Sequence, residues 1–285
     1  MLKLSSSSGD FWKAFARNKG AVFGLVILAG ILVLAAFASV LFPGDPWDMA
    51  TAPFQPPLSE GSPLGSDMLG RDIAAGIAHG ARVSLLIGLT STAAALAIGV
   101  TLGALAGFHG GRVDDAIMRF TELFQTIPNF VLAVVLVAIF TPSLTTIVAA
   151  IAIVSWPPLA RLARAEFMSL RTREFVQAAI TTGQSNTTII LRQILPNSLS
   201  PIIVSASLMV ATAILLESSL SFLGLGDPNA MSWGYMIGAA RTVIRQAWWM
   251  SFFPGLAIVL TVLALNLVGE GLNDALNPKL ARSRG

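Results

Sequence analysis

The sequence predicts an all-α polytopic membrane protein of six transmembrane helices, and three observations carry that expectation. Only 12% of the residues are charged and mean hydropathy is +0.75, where a water-soluble domain carries about 25% charged residues. The apolar residues gather into runs at 21–42, 83–107, 127–140, 144–159, 199–223 and 252–268; roughly 20 such residues cross a hydrocarbon core of about 30 Å. The third observation is the segregation of Lys and Arg. With the N-terminus inside, 14 of the 18 basic residues fall on the cytoplasmic side: Lys3, Lys13, Arg17, Lys19, Arg112, Arg119, Arg161, Arg164, Arg171, Arg173, Arg192, Lys279, Arg282 and Arg284. Only Arg71, Arg82, Arg241 and Arg245 lie outside. The positive-inside bias then sets both termini in the cytoplasm. The net charge of +3 therefore reflects topology and gives no support for nucleic-acid binding.

The runs divide the chain into a cytoplasmic tail (1–20), a first helix (21–42), an external segment (43–82), a five-helix core (83–270) with a cytoplasmic loop at 161–198, and a tail (271–285). In the first tail, Phe11, Trp12 and Phe15 alternate with Lys13, Arg17 and Lys19; this suits a short helix on the inner membrane surface or a plain basic flank. The first run exceeds the 7–15 residues of a signal-peptide core, and Leu41-Phe42-Pro43 offers no small-residue cleavage site, so it reads as a retained helix. Prolines keep the start of 43–82 irregular. From Ser66 the pattern turns helical, with Asp67 as cap and as i,i+4 partner of Arg71. Arg71 and Asp72 are candidates for bracing the external surface or touching an external partner.

The second span carries Gly99, Gly103 and Gly107, a spacing that lets two helix backbones approach closely or makes a flexible pore-lining helix. Residues 111–126 repeat apolar positions Val113, Ile117, Phe120 and Phe124, with Asp115 and Arg119 as an i,i+4 pair; this reads as an amphipathic cytoplasmic helix lying along the membrane or a partner. The third and fourth runs are short and flanked by proline. Between the fourth and fifth, a mere connector needs only a few residues. Here a helix through Phe175, Ala178, Ala179 and Thr182 ends at Gly183, and a second one starts near Asn186 as N-cap and stops at Pro196. Two short helices with an apolar face imply something that buries it. Glu217 in span five and Asn266 in span six are candidates for lining a membrane pathway, or else hydrogen-bonded anchors. Trp248 and Trp249 precede the last span, where an aromatic belt is expected.

The chain has no cysteine and two histidines, His79 and His109, at opposite ends of one span. Thiol chemistry is excluded, and no shared metal site, catalytic triad or phosphate loop is present. An intramembrane enzyme is left without reagents. An ion-driven secondary transporter would need intramembrane acids or repeated broken helices, and Glu217 stands alone.

The stretch "QAAITTGQSNTTIILRQILP" resembles the cytoplasmic loop of binding-protein-dependent ABC importer permeases, whose pattern is Glu-Ala-Ala, three residues, Gly, nine residues, Ile-x-Leu-Pro. Gln177, Ala178, Ala179, Gly183, Gln193, Leu195 and Pro196 occupy the pattern, with Gln177 standing for Glu and Gln193 for Ile. "LGSDMLGRDIAAGIAHGARVSL", "ESSLSFLGLG", "SWG" and "FPGLAIVLTVLALNLVGEGLNDALNPKL" are similar to the dipeptide, oligopeptide and nickel permeases, and "FWKAFARNKGAVFGL" to their second permease subunit. The resemblance implies a type I ABC importer permease fold with an extra N-terminal helix, in the bacterial inner membrane. It implies a non-enzymatic subunit paired with a second permease, two cytoplasmic ATPase subunits that carry the ATP and magnesium, and a periplasmic binding protein. Residues 177–196 would be the coupling helices seated on an ATPase. The solute would be a dipeptide or oligopeptide, with a nickel chelate or another small solute as the alternative.

Overall fold

A computed structural model describes residues 8–276; Lys3, Lys279, Arg282 and Arg284 of the charge argument lie outside them. In chain order the helices are α1 (Ser8–Arg17), α2 (Lys19–Leu41), α3 (Ile73–His109), α4 (Gly111–Gln125), α5 (Asn129–Ile139) and α6 (Leu144–Arg171). They continue with α7 (Glu174–Thr181), α8 (Asn186–Thr188), a π-helical turn (Ile189–Ile194), α9 (Leu195–Phe222), α10 (Trp233–Ala240) and α11 (Trp249–Leu276). Among the described residues, extended backbone pairs only at two isolated bridges, Ser59–Ser62 and Ser66–Asp72. We call the end of the bundle with α1 and α7 the basic end, and the end with 43–72 and α10 the loop end.

Among the described residues, five helical runs are long and apolar enough to cross a membrane: α2, α3, α6, Asn186–Phe222 and α11. The sixth crossing is made differently from the expected 127–140 helix. α5 has 11 residues, about 16 Å of rise, which is half a hydrocarbon core. Only together with α4, which meets α5 at an 80° bend, is it long and apolar enough to cross; Pro128 at the bend cannot continue the hydrogen-bond ladder. At its start, Asp114 of α4 pairs with Arg164 of α6; near its end, Phe120 and Phe124 pack on Trp156. Those contacts climb about 12 Å along α6, so α4 stands against α6 instead of lying on the membrane surface. The expected Asp115–Arg119 pair is absent from the ion pairs of the described residues; the acid that matters is its neighbour, Asp114.

α3 and α6 form the most extensive helix contact. A Cβ on Gly99 would sit 2.7 Å from the Trp156 carbonyl oxygen, and one on Gly107 would sit 2.5 Å from that of Arg164. Gly103 faces the Ala160 carbonyl more closely still. The glycine stripe thus lets α3 lie backbone-to-backbone on α6 inside this chain. α2 is fastened at both ends. Arg82 of α3 donates to the carbonyls of Ala35 (2.5 Å) and Ala36 (2.9 Å) and to Ser39 (2.9 Å). At the basic end, Asn18 caps α2 and donates to Asp274 of α11 at 3.0 Å, while Phe15 of α1 packs on Gly271.

Residues 43–72 fold as a chain of turns. Thr51 N–H bonds Gly70 O, Phe54 N–H bonds Asp67 O, and Trp249 Nε1 donates to Ser66 O at 3.1 Å. The helix expected from Ser66 begins at Ile73 instead. Asp67 spends its carboxylate on the N–H groups of Leu69 and Arg71, which closes a turn rather than a helix, and Asp72 becomes the cap of α3. Orientation is open to a direct check. Reporter fusions after Gly61 and after Asn186 are expected on the periplasmic and cytoplasmic sides respectively, and both on one side would contradict the six-crossing topology.

Candidate coupling segment and anchoring residues

The segment between α6 and α9 is shorter than 161–198. Residues 161–171 complete α6, and Asn186–Phe222 is one run of helix. What projects from the basic end is an elbow of α7, Gly183 and α8. Glu174 in the first turn of α7 suits the helix dipole. The helix ends in a Schellman motif: Gly183 N–H bonds Ile180 O at 3.0 Å and Gln184 N–H bonds Ala179 O at 3.1 Å. Gly183 has φ +74°, the left-handed conformation in which a Cβ is penalised. The next helix is capped by Ser185, whose hydroxyl accepts from Thr188 N–H, so Asn186 is its first residue and not its cap. Ser and Asn are equally good caps, and adjacent ones cannot be ranked from sequence.

Pro196 does not stop the second helix. A proline in an α-helix collides with the carbonyl four residues back. Here the preceding turn is widened to π geometry, Leu195 N–H bonds Ile190 O, and the proline enters at the start of α9. The π turn therefore lets the elbow and the fifth crossing remain one helix. Gln193 Nε2 reaches Gln184 Oε1 at 3.4 Å, and Gln177 Nε2 donates to Arg171 O at 3.0 Å. In place of a charge, Gln177 ties α7 back to the end of α6.

The apolar face of the elbow is divided. Val176, Ala179, Ile189 and Ile194 are buried against Phe108 of α3 and Phe167 of α6, so the bundle itself covers the face that sequence left unpartnered. Phe175, Ile180 and Leu191 point the other way and are 39%, 46% and 54% exposed, with Ala178 also exposed. Arg171 braces the same end, with its guanidinium over the Phe108 ring and 3.4 Å from His109 O.

The two membrane candidates are not brought together. Glu217 is 1% exposed. Its Oε1 accepts from Ser221 and Ser232, each at 2.8 Å, and its Oε2 lies against Gly234 without a hydrogen bond. Asn266 is exposed on α11, turned away from the chain's own core. Of the external pair, Arg71 lies over the Trp47 ring at 4.6 Å and 3.9 Å from Asp67, and Asp72 accepts from Ala74 N–H at 3.0 Å. Both are partly buried. Their contacts are the bracing kind, made within the external segment and α3. Two pairings with large structural roles are not visible in the sequence: Asp114 with Arg164, 50 residues apart, and Glu217 with Ser232, 15 residues apart. Arg164 stands there only as a basic residue and Ser232 only as the start of the SWG stretch, and no local pattern joins either to its partner.

Burial pushes the Asp72 carboxyl above its ordinary range, and the N–H groups of Ala74 and Ala75 pull it partly back. Between the unfolded and folded values the native chain holds a proton that the unfolded chain has released. Asp72 therefore lowers stability as pH rises through that window. Asp72→Asn keeps a capping oxygen and carries no charge to desolvate, so its thermal stability at pH 7 should equal or exceed that of the wild type. Asp72→Ala should lose about 1 kcal/mol with the cap. Thermal unfolding in detergent at pH 7 checks this, and an Asn variant as unstable as the Ala variant would contradict it.

Comparison with known proteins agrees with this architecture. Residues 99–282 match the family described as binding-protein-dependent transport system inner membrane component. Residues 6–57 match the N-terminal TM domain of oligopeptide transport permease C. The chain is 44% identical over 278 residues to the di/tripeptide transport system permease protein DppC of Pseudomonas aeruginosa, covering 95% of this chain and 92% of that one. It is 37% identical over 279 residues to the dipeptide transport system permease protein DppC of Bacillus subtilis, covering 97% and 87%. Among solved structures, an inward-facing MetNI methionine ABC transporter superposes with a TM-score of 0.60 at 15% identity, covering 71% of this chain and 96% of that one. At that identity the likeness speaks for the fold, that of a type I ABC importer permease. Its helix bundle, its basic-end elbow and its family match over 99–282 thus make the chain a multi-pass member of the family of inner membrane components of binding-protein-dependent transport systems.

Proposed function

We propose that the chain is one of two permease subunits of a peptide importer, paired with a homologous permease and served by two cytoplasmic ATPase subunits and a periplasmic binding protein. The carrying observation is the elbow. Phe175, Ile180 and Leu191 form an exposed apolar surface on a capped turn, while the opposite face is locked into the ends of α3 and α6. Such an element can receive a push and pass it to the bundle. ATP and magnesium belong to the ATPase subunits in this reading. Closure of those subunits draws the elbows of the two permeases together, and the bundle exchanges an inward-open for an outward-open state. Each partner acts by contacting the two states unequally. The peptide substrate is supported by the dipeptide and di/tripeptide permeases to which the chain is similar. The termini lie in the cytoplasm, on the strength of the charge bias.

The experiment is reconstitution of the permease pair with its ATPases in vesicles, with labelled dipeptide and the binding protein added. Uptake that requires both ATP and the binding protein is expected. Accumulation by the permease alone under an ion gradient would overturn the reading in favour of a secondary transporter. Uptake of a nickel chelate without peptide uptake would overturn the substrate.

A further inference from the structure

Beyond the elbow, the structure offers a fixed connection between the two ends of the bundle. Asn186–Phe222 is 37 residues of continuous helix, about 55 Å, which carries the elbow at one end and Glu217 near the other. Opposite Glu217 stands α10, an eight-residue helix at the loop end. Ser232 caps α10 by accepting from Tyr235 N–H at 2.9 Å, and the same hydroxyl donates to Glu217 Oε1 at 2.8 Å. A single side chain on α9 therefore holds the residue that caps α10. The backbones also touch. A Cβ on Gly234 would lie 2.8 Å from both Glu217 carboxylate oxygens and from Ser218 Cα, and one on Gly238 would lie 2.5 Å from Ser221 O. At these two glycines α10 has no side chain to keep it off α9. α10 is tied to α3 as well, through Trp233 N–H to Ser84 Oγ (3.1 Å) and Trp233 Nε1 to Ile77 O (2.9 Å).

We propose that Glu217 is a positioning residue of the transport cycle, a pin that makes α10 move as one body with the helix bearing the elbow. This rests on the ATP-driven importer reading. Its consequence is that displacement of the elbow is delivered to the loop end without slack. Glu217 acts here through its acceptor geometry. A pathway residue that meets a peptide amine would act through its negative charge, and substitution separates the two roles. Glu217→Gln keeps an acceptor oxygen at nearly the same place and loses the charge. Glu217→Leu keeps an apolar side chain of similar reach and leaves the hydroxyls of Ser221 and Ser232 without their acceptor.

The test uses the complete reconstituted transporter and reads dipeptide uptake and ATP hydrolysis in the same vesicles, together with membrane level. Glu217→Gln is expected to transport at wild-type yield per ATP. Glu217→Leu is expected to hydrolyse ATP while the yield per ATP falls about tenfold, the shift that leaving buried hydroxyl donors without their acceptor produces in a two-state equilibrium. Three results would overturn the proposal. They are a Leu variant with unchanged yield, a Gln variant as impaired as Leu, and a parallel fall of uptake, hydrolysis and membrane level that marks a folding role only. Failure of the importer reading is recognised separately, because the wild type would then show no ATP-dependent uptake.

Discussion

Gly183→Val should leave the permease in the membrane and paired with its partner while ATP-driven uptake falls by at least about tenfold. Gly183 sits at φ +74°, where an L-residue pays about 1–2 kcal/mol and a β-branched one is the worst fit. Nothing lies within 4 Å of the position its Cβ would take, so the effect is conformational and not steric. The chain escapes the strain by changing the turn. That breaks the hydrogen bonds from Gly183 to Ile180 and from Gln184 to Ala179, and it rotates α7 relative to the helix that begins at Asn186. A conformational origin predicts a series: Gly183→Asn, which tolerates the left-handed region, should retain most uptake, with Ala intermediate. Equal uptake in all four proteins, measured at matched membrane level, would remove the turn from the transmission path.

The second large effect is expected at the α3–α6 contact. Gly103→Leu would drive a side chain into the Ala160 carbonyl and the Ala163 Cβ, and backbone has no rotamer to escape into. Overpacking of this kind costs about 1–3 kcal/mol even where side chains can yield. Here the helices must separate, so the Asp114–Arg164 pair and the Trp156 stack that hang on α6 are disturbed with them. Membrane level is expected to fall several-fold, with Gly103→Ala less affected. Gly30→Leu is the internal control, because Gly30 on α2 has open space where its Cβ would be. Quantitative immunoblots of membranes check this, and equal levels for Gly103→Leu and Gly30→Leu would contradict the packing.

The parts that could be read from sequence are those with local causes. Runs of apolar residues located the crossings because a bilayer acts on length and hydropathy alone. Gly183 was legible because a helix followed by glycine is a short-range signal. α4 was misread for an equally physical reason. An amphipathic helix on a membrane surface and half of a broken crossing have the same periodicity. What separates them is Arg164, which meets Asp114 across 50 residues of sequence. Pro196 looked like a stop because its clash is local, while the π turn that absorbs it depends on how Ile189 and Ile194 are held at the basic end. Glu217 was visible as an anomaly, but its partner Ser232 lies 15 residues away across a turn, which no spacing rule connects. Asn266 is exposed on α11, so its expected place in the pathway draws no support from packing within this chain.

Seating of the elbow of α7, Gly183 and α8 on an ATPase subunit, as proposed, can be tested directly because the chain has no cysteine. Ile180→Cys places a single thiol on the elbow, at a residue that is 46% exposed. Val40→Cys places one at the loop end of α2, at a residue that is 74% exposed. In the assembled transporter, a short thiol-directed photo-crosslinker should join the permease to an ATPase subunit from Ile180→Cys, in a yield that changes when ATP is added, and should not do so from Val40→Cys. No ATPase adduct from Ile180→Cys, or equal yields from the two positions, would contradict the account.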